Sequence, residues 1–249
     1  MKKVVVVTGG SEGIGRACVE LFHKNDYEVI NLDIKKPESG LGLFIQTDVS
    51  KVSEIKKSFQ RIAEQYSALD VLVSNAGMHV SETVEATDEA LFDQVIATNL
   101  KSAFFVVRSA IPLMRNKGKR AKNGGRIIMM GSEQTFVGKP HSAAYGLTKA
   151  AIAQLTKNIA LDYMKEGIVA NCVCPGTIET PLYWKAIQSY CDRSGRDINE
   201  VHQEEGAMQP IDRIGQPEEV ASLVYYLANE AGSFIQGASF TIDGGYTIQ

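Results

Sequence analysis

Short runs of β-branched and other apolar residues alternate along the chain with longer stretches whose apolar positions recur every three or four residues. Val4 to Val7, Glu28 to Leu32, Leu43 to Gln46, Val71 to Ser74, Arg126 to Met130, Val169 to Val173 and Ser239 to Ile242 read as strands. Most are near-continuous apolar runs, as expected where both faces of a parallel sheet are covered. Between them lie helical stripes: Cys18, Leu21 and Phe22; Val52, Ile55, Phe59 and Ile62; Leu100, Phe104, Val107, Ile111 and Met114; Ala151, Leu155 and Ile159; Val220, Leu223, Val224 and Leu227. Alternation of this kind predicts an α/β fold, a doubly wound seven-stranded parallel sheet flanked by helices. Two segments break the rhythm. Arg115 to Lys122 carries five basic residues ahead of the fifth strand, and a long stretch, 178–211, follows the sixth. The second leaves the carboxyl end of a strand, where ligands bind in open α/β sheets, so it is expected to fold as a helical lid.

The 249 residues fit one domain spanning 1–249, and 44% hydrophobic against 22% charged residues supports a full core. A net charge of −3 exerts no pull toward nucleic acid or an anionic membrane, leaving a small molecule as the expected partner. Cys18, Cys172, Cys174 and Cys191 are too scattered for a disulfide framework. Cys172 and Cys174 should point to one face of a strand as buried thiols. Met-Lys-Lys followed by four valines is short of a signal peptide or a membrane span, so a reducing, cytoplasmic setting is expected. No His, Cys and Asp grouping has metal-ligand spacing, and no metal is expected.

The first strand runs into Thr8-Gly9-Gly10-Ser11-Glu12-Gly13-Ile14-Gly15 and then directly into a helix. Glycines there let the backbone turn tightly and approach a pyrophosphate set against the helix N-terminus. A purely structural turn would use the same residues. Asp33 stands eighteen residues past Gly15 at the end of the second strand, where a carboxylate can accept from both ribose hydroxyls and repel a 2′-phosphate. It can equally open a turn, and Lys35 and Lys36 are placed to pair with a phosphate. NAD is favoured over NADP because like-charge contact discriminates more strongly. Tyr145 and Lys149, four apart, share a helix face, and Ser132 follows the fifth strand, so the three can converge at the carboxyl edge of the sheet. His141, four before Tyr145, reads as a rim or solvent histidine.

With these residues the chain resembles the short-chain dehydrogenase/reductases of the single-domain type, a Rossmann fold. The resemblance rests on Thr8 to Gly15, Asp48-Val49, Ser74-Asn75-Ala76-Gly77, Asn99, Ser132, Tyr145 to Lys149, Pro175-Gly176-Thr177-Ile178 with Thr180, and Ile242-Asp243-Gly244-Gly245. It implies Asn99, Ser132, Tyr145 and Lys149 as the catalytic set. For the cofactor it implies Gly9, Ser11, Glu12, Gly13, Ile14, Gly15, Asp33, Asp48, Val49, Asn75, Ala76, Gly77, Tyr145, Lys149, Pro175, Gly176, Ile178 and Thr180. Ser74 and Gly131 depart from the residues frequent at their positions. A homotetramer is implied too. The activity so implied is NAD-dependent hydride transfer between a secondary alcohol and a ketone. The alternatives are a 3-oxoacyl-thioester reductase and a dinucleotide-sensing protein without turnover. Within the lid, Tyr183, Trp184 and Tyr190 offer aromatic faces, and Arg193, Arg196, His202, Gln203 and Glu204 offer polar contacts. With Glu133, Gln134 and His141 they favour a small polyhydroxylated substrate, a sugar or an anionic sugar acid held by an arginine.

Overall fold

A computed structural model of the chain describes residues 2–115 and 124–249. The strands are β1 (Val4–Thr8), β2 (Glu28–Asp33), β3 (Leu43–Gln46), β4 (Val71–Ser74), β5 (Arg126–Met130), β6 (Val169–Pro175) and β7 (Ser239–Ile242). They form one sheet in the order β3-β2-β1-β4-β5-β6-β7, and every neighbouring pair is parallel. The order reverses between β1 and β4, which opens a crevice at their carboxyl ends.

Helices α1 (Gly13–Lys24), α2 (Val52–Gln65), α3 (Glu89–Val95), α4 (Ser102–Arg115), α5 (Ala143–Tyr163), α6 (Pro181–Ser194), α7 (Ile198–Ala207) and α8 (Pro217–Asn229) complete the chain. The unbroken apolar strands have a direct cause. Val4 and Val6 pack with Ile55, Ile62, Val106 and Ile111 on one side, while Val5 and Val7 pack with Phe22, Val220 and Val224 on the other. Neither face of the sheet can be polar.

The helical run Glu89–Arg115 is long and apolar enough by composition to cross a membrane. Its second half supplies Val106, Val107, Ala110, Ile111 and Met114 to the core, which accounts for that hydropathy. A π-helical turn, Ile96–Lys101, joins α3 to α4. In the basic segment, Lys117, Lys119, Arg120 and Lys122 lie outside the described residues; Arg115 at its edge pairs with Glu166. The long stretch after β6 does form two helices, α6 and α7, with a small core of Ile187, Cys191 and Val201.

Cys172 and Cys174 point to one side of β6 with their sulfurs 3.7 Å apart. They explain the glycine at 131, since a Cβ there would lie 2.8 Å from each sulfur and 3.1 Å from Thr135 Oγ1. Gly131→Ala is therefore expected to cost about 1–3 kcal/mol through overpacking. Adding Cys172→Ala and Cys174→Ala should recover part of that loss in chemical denaturation; strictly additive costs would show that the thiols are not what excludes a side chain.

Candidate active site

Where β1 ends, its last side chain turns back on the neighbouring strand. Thr8 Oγ1 accepts from the N–H groups of Asn75 and Ala76 at 2.9 and 3.0 Å, and Asn75 Nδ2 donates to the carbonyls of Thr8 and Gly9. From the other side Asn31, fully buried in β2, accepts from Gly10 N–H and donates to Ser11 Oγ. The glycine turn is thus held by both flanking strands. A Cβ on Gly15 would sit 1.9 Å from the Gly9 carbonyl, so α1 can start this close to β1 only with glycine there. Gly13, at φ +52°, lies against Thr180 at the root of the lid.

A groove of about 750 Å³ runs along this edge, lined by Gly9, Glu12, Gly13, Ile14, Asp33, Asp48, Val49, Asn75, Ala76, Gly77 and Thr180. Ser11 opens on an adjoining hollow, whereas Gly15 is buried and lines neither. The residues fit a dinucleotide: a cradle that side chains would fill, an α1 N-terminus with no side-chain cap, and a carboxylate at the far end. Asp33 accepts from the N–H groups of Ser11 and Lys35 at 3.0 Å. Lys35 is paired with Glu12 and Arg16 with Glu20, so these two cations beside Asp33 are engaged by carboxylates. Asp48 is held below the ordinary carboxylate range by the Ser50 hydroxyl and by Lys51.

Next to the groove is a cleft of about 340 Å³ where Ser132, Tyr145 and Lys149 converge, joined by Pro175, Gly176 and Ile178. Lys149 is 5% exposed and donates to the Met130 carbonyl at 2.9 Å. Asn99 belongs to the π-helical turn rather than to a helix start. Its side chain accepts from Met78 N–H at 2.8 Å and donates to Met78 O at 2.9 Å and to Thr148 Oγ1 at 3.2 Å, which pins the loop after β4.

In the free protein the Lys149 ammonium does not draw the Tyr145 phenol into working range. Burial pushes Tyr145 up to about 12, opposed by the Ser132 hydroxyl, and burial pushes Lys149 down to about 8. Desolvation prevails because Lys149 Nζ is directed to a backbone carbonyl and lies 5.4 Å from the centre of the Tyr145 ring. The free site therefore favours a protonated phenol beside an amine that gives up its proton readily, an arrangement suited to moving one proton.

Several lining residues escaped sequence reasoning, among them His79, Lys139, Ser142 and Glu205. His79 meets the Tyr145 ring edge to face at 4.8 Å and is pushed below its ordinary range by burial and by Lys139 and Lys149. Lys139 enters from the loop before α5, and Glu205 from α7. Only its place two residues after Asn75-Ala76-Gly77 could have pointed to His79. Other expectations need correcting. Trp184, Tyr190 and His141 do not line the cleft: α6 presents Tyr183, Ala186 and Ile187 on its inner face and turns Trp184 outward to stack on His202. Arg193 and Arg196 are engaged outside it by Glu82 and Glu204, so no arginine among the described residues is placed to hold an anionic substrate there.

A family model described as enoyl-(acyl carrier protein) reductase matches residues 9–247. The D-beta-hydroxybutyrate dehydrogenase of Rhizobium meliloti (strain 1021) is 34% identical over 266 residues, covering 100% of each chain. The NAD-dependent glycerol dehydrogenase of Listeria innocua serovar 6a is 32% identical over 255 residues, covering 99% of this chain and 94% of that one. Ligand-free aldohexose dehydrogenase of Thermoplasma acidophilum superposes with a TM-score of 0.92 at 36% identity, covering 100% of this chain and 95% of the other.

Two outcomes follow from the convergence of Tyr145 and Lys149. Tyr145→Phe keeps the ring and removes the proton carrier, so kcat should fall at least about a hundredfold while dinucleotide affinity, by fluorescence titration, stays near wild type. A lysine whose pKa falls from 10.5 to about 8 on folding binds fewer protons folded than unfolded between those values. The burial penalty is in full force below about pH 8 and is relieved as pH rises toward 10.5. Lys149→Met should thus be inactive yet melt above the wild type at pH 7, with the gap closing across that window; a gap independent of pH would contradict this reading of burial.

Proposed function

We propose that this chain, which belongs to the short-chain dehydrogenase/reductase family and is an oxidoreductase acting on CH–OH groups, uses NAD and turns over a small, neutral polyhydroxylated substrate. The observation that carries the cofactor choice is the Asp33 carboxylate at the end of β2, with Lys35 and Arg16 paired to Glu12 and Glu20 and Lys36 the remaining cation lining the adjoining hollow. A 2′-phosphate would face a carboxylate with no free guanidinium or ammonium from Arg16 or Lys35 to receive it. The glycine turn and α1 hold the pyrophosphate, Asp33 the adenosine ribose, Asp48 and Val49 flank the adenine, and Ile178 and Thr180 hold the carboxamide. Asn75 to Gly77 brace this edge of the groove. Lys149 holds the second ribose. When bound, the nicotinamide accepts or supplies the hydride and, oxidised, brings a positive charge into the cleft.

The protein's own part is orientation and proton movement. Ser132 hydrogen-bonds the reacting oxygen and fixes it beside Tyr145 Oη. In oxidation Tyr145 first releases its phenol proton by way of Lys149 to solvent and then, as the phenolate, takes the hydroxyl proton; in reduction the phenol gives its proton to the carbonyl oxygen and is reprotonated from solvent by the same route. Asn99 keeps the loop after β4 in register and, with Lys149, connects the site to solvent for proton exchange.

Support for a polyhydroxylated substrate comes from the cleft, which combines the apolar walls of Ile178, Leu182 and Ile187 with Ser132, Glu133, Gln134, Lys139, Tyr183 and Glu205. A long acyl chain or a steroid would need a broader apolar wall, and carboxylates from Glu133 and Glu205 disfavour an anion. Aldohexose and glycerol dehydrogenases among the relatives agree with this choice.

Asp33→Ala should weaken NAD at least about tenfold and raise the NADP to NAD preference, measured as the ratio of kcat/KM for the two dinucleotides. An unmoved ratio would leave Asp33 a turn residue. In the same assay, neutral sugars and polyols should exceed acyl thioesters, steroids and sugar acids in kcat/KM; the reverse ranking overturns the substrate choice.

A further inference from the structure

Among the described residues, only three carry a buried side-chain polar atom with no hydrogen-bond partner: Arg126, Glu133 and Ser142. Arg126 lies at the start of β5, at the opposite edge of the sheet from the site. The other two line the substrate cleft. Leaving a buried polar group unpaired costs about 1–3 kcal/mol, so two of them in one cleft call for a ligand that pairs them.

Their surroundings show a built site. Glu133 follows Ser132 directly, and its side chain is 5% exposed; Oε1 is tied to Lys139, whose aliphatic and ammonium end also packs over the Tyr246 ring at 4.4 Å. That leaves Oε2 free. It faces Gly176, where a Cβ would lie 3.0 Å from it and 2.8 Å from Asp243 Cα, so only glycine lets β6 run on between the carboxylate and the C-terminal segment at this wall of the cleft. Ser142 precedes α5, the helix that carries Tyr145, yet its hydroxyl makes no capping bond to that helix. A serine at this position ordinarily accepts from the N2 or N3 amide, and here it does not. Neither group is used by the proton-moving set of Ser132, Tyr145 and Lys149.

We propose that Glu133 Oε2 and Ser142 Oγ form the specificity subsite for a second hydroxyl of the substrate, on the carbon adjacent to the one oxidised. The subsite presupposes the polyhydroxylated substrate proposed above. Glu133 follows Ser132, Ser142 stands three residues before Tyr145, and all four line one cleft, so a group they receive shares that cleft with the reacting oxygen. The carboxylate accepts from the substrate O–H, and the serine hydroxyl donates to the same oxygen. A mono-alcohol would leave both unpaired, which is how a site built to bind a hydroxyl rejects an analogue that lacks it.

The test compares kcat/KM with NAD for 1,2-cyclohexanediol against cyclohexanol, and for aldohexoses against their 2-deoxy counterparts, in the full-length wild type, Glu133→Gln and Ser142→Ala. The wild type should prefer the hydroxylated member of each pair. Both variants should cut that preference about tenfold or more through KM for the hydroxylated member, with kcat/KM for cyclohexanol falling less than kcat/KM for 1,2-cyclohexanediol in each. Ser142→Ala removes no hydrogen bond, so its melting temperature without ligands should match the wild type. With NAD present, the preferred sugar should raise that temperature less in Ser142→Ala than in wild type. This keeps the proposal testable should Glu133→Gln, which strands Lys139, fold poorly. A wild type that shows no preference for the hydroxylated members overturns the substrate reading and the subsite together. A wild type that prefers them, with Ser142→Ala unchanged in preference and in thermal response, overturns the subsite alone.

Discussion

Parallel strands that stop at a common edge leave their last backbone groups without ladder partners, and buried backbone groups must be paired by something. In this protein that requirement organises the whole site. Thr8 and Asn75 tie β1 to β4, Asn31 ties β2 to the glycine turn, Asn99 closes the loop after β4 through both polar atoms of Met78, and Lys149 takes the Met130 carbonyl at the end of β5. Of these side chains, Asn75 also lines both the groove and the cleft, and Lys149 lines the cleft. The edge is fixed before any ligand arrives, and preorganisation of this kind is what positioning a hydride donor and acceptor demands.

Burial sets the electrostatics of that edge. Tyr145 and Glu133 are pushed up, Lys149 and His79 down, each chiefly by desolvation, so the free cleft holds its charges reluctantly. Asp243, whose carboxylate is occupied by the N–H groups of Gly245 and Thr247, adds to the field on Glu133 from the C-terminal segment. Groups whose charged forms are penalised are sensitive to any new charge or hydrogen-bond donor placed beside them.

The lid shows how one face can be prepared for a ligand while the other is held closed. Tyr183 hydrogen-bonds His202 at 2.9 Å, Trp184 stacks on the same imidazole, and Arg196 makes a two-pronged pair with Glu204. The first two contacts join α6 to α7, and the third ties the connection between them to α7. The inner face keeps Tyr183 and Ala186 beside the cleft, and α7 contributes Glu205. Thr180 caps α6 by accepting from Tyr183 N–H and packs against Gly13, so the lid is rooted on the glycine turn itself.

Much of this was legible in the sequence because it is local. Strand and helix periods, the glycine spacing at 9, 13 and 15, the four-residue step from Tyr145 to Lys149 and the shared face of Cys172 and Cys174 are properties of contiguous stretches, and the structure keeps them. The family motifs added Asn99 and the residues after β6, since their order along the chain is itself distinctive. What only the tertiary structure decided is everything that depends on residues distant in sequence meeting in space. Asn31, 20 positions from Ser11, is an ordinary polar residue in a strand until folding sets it under the glycine turn. His79, Lys139, Ser142 and Glu205 meet in one cleft from four separate segments, and no periodicity links them. The same holds for the arginines of the lid: composition shows them available, whereas folding pairs Arg193 with Glu82 across 111 positions and removes it from the site. The direction of the Tyr145 and Lys149 shifts was likewise beyond the sequence, because desolvation depends on how much protein surrounds a group, and that is known only once the chain has folded.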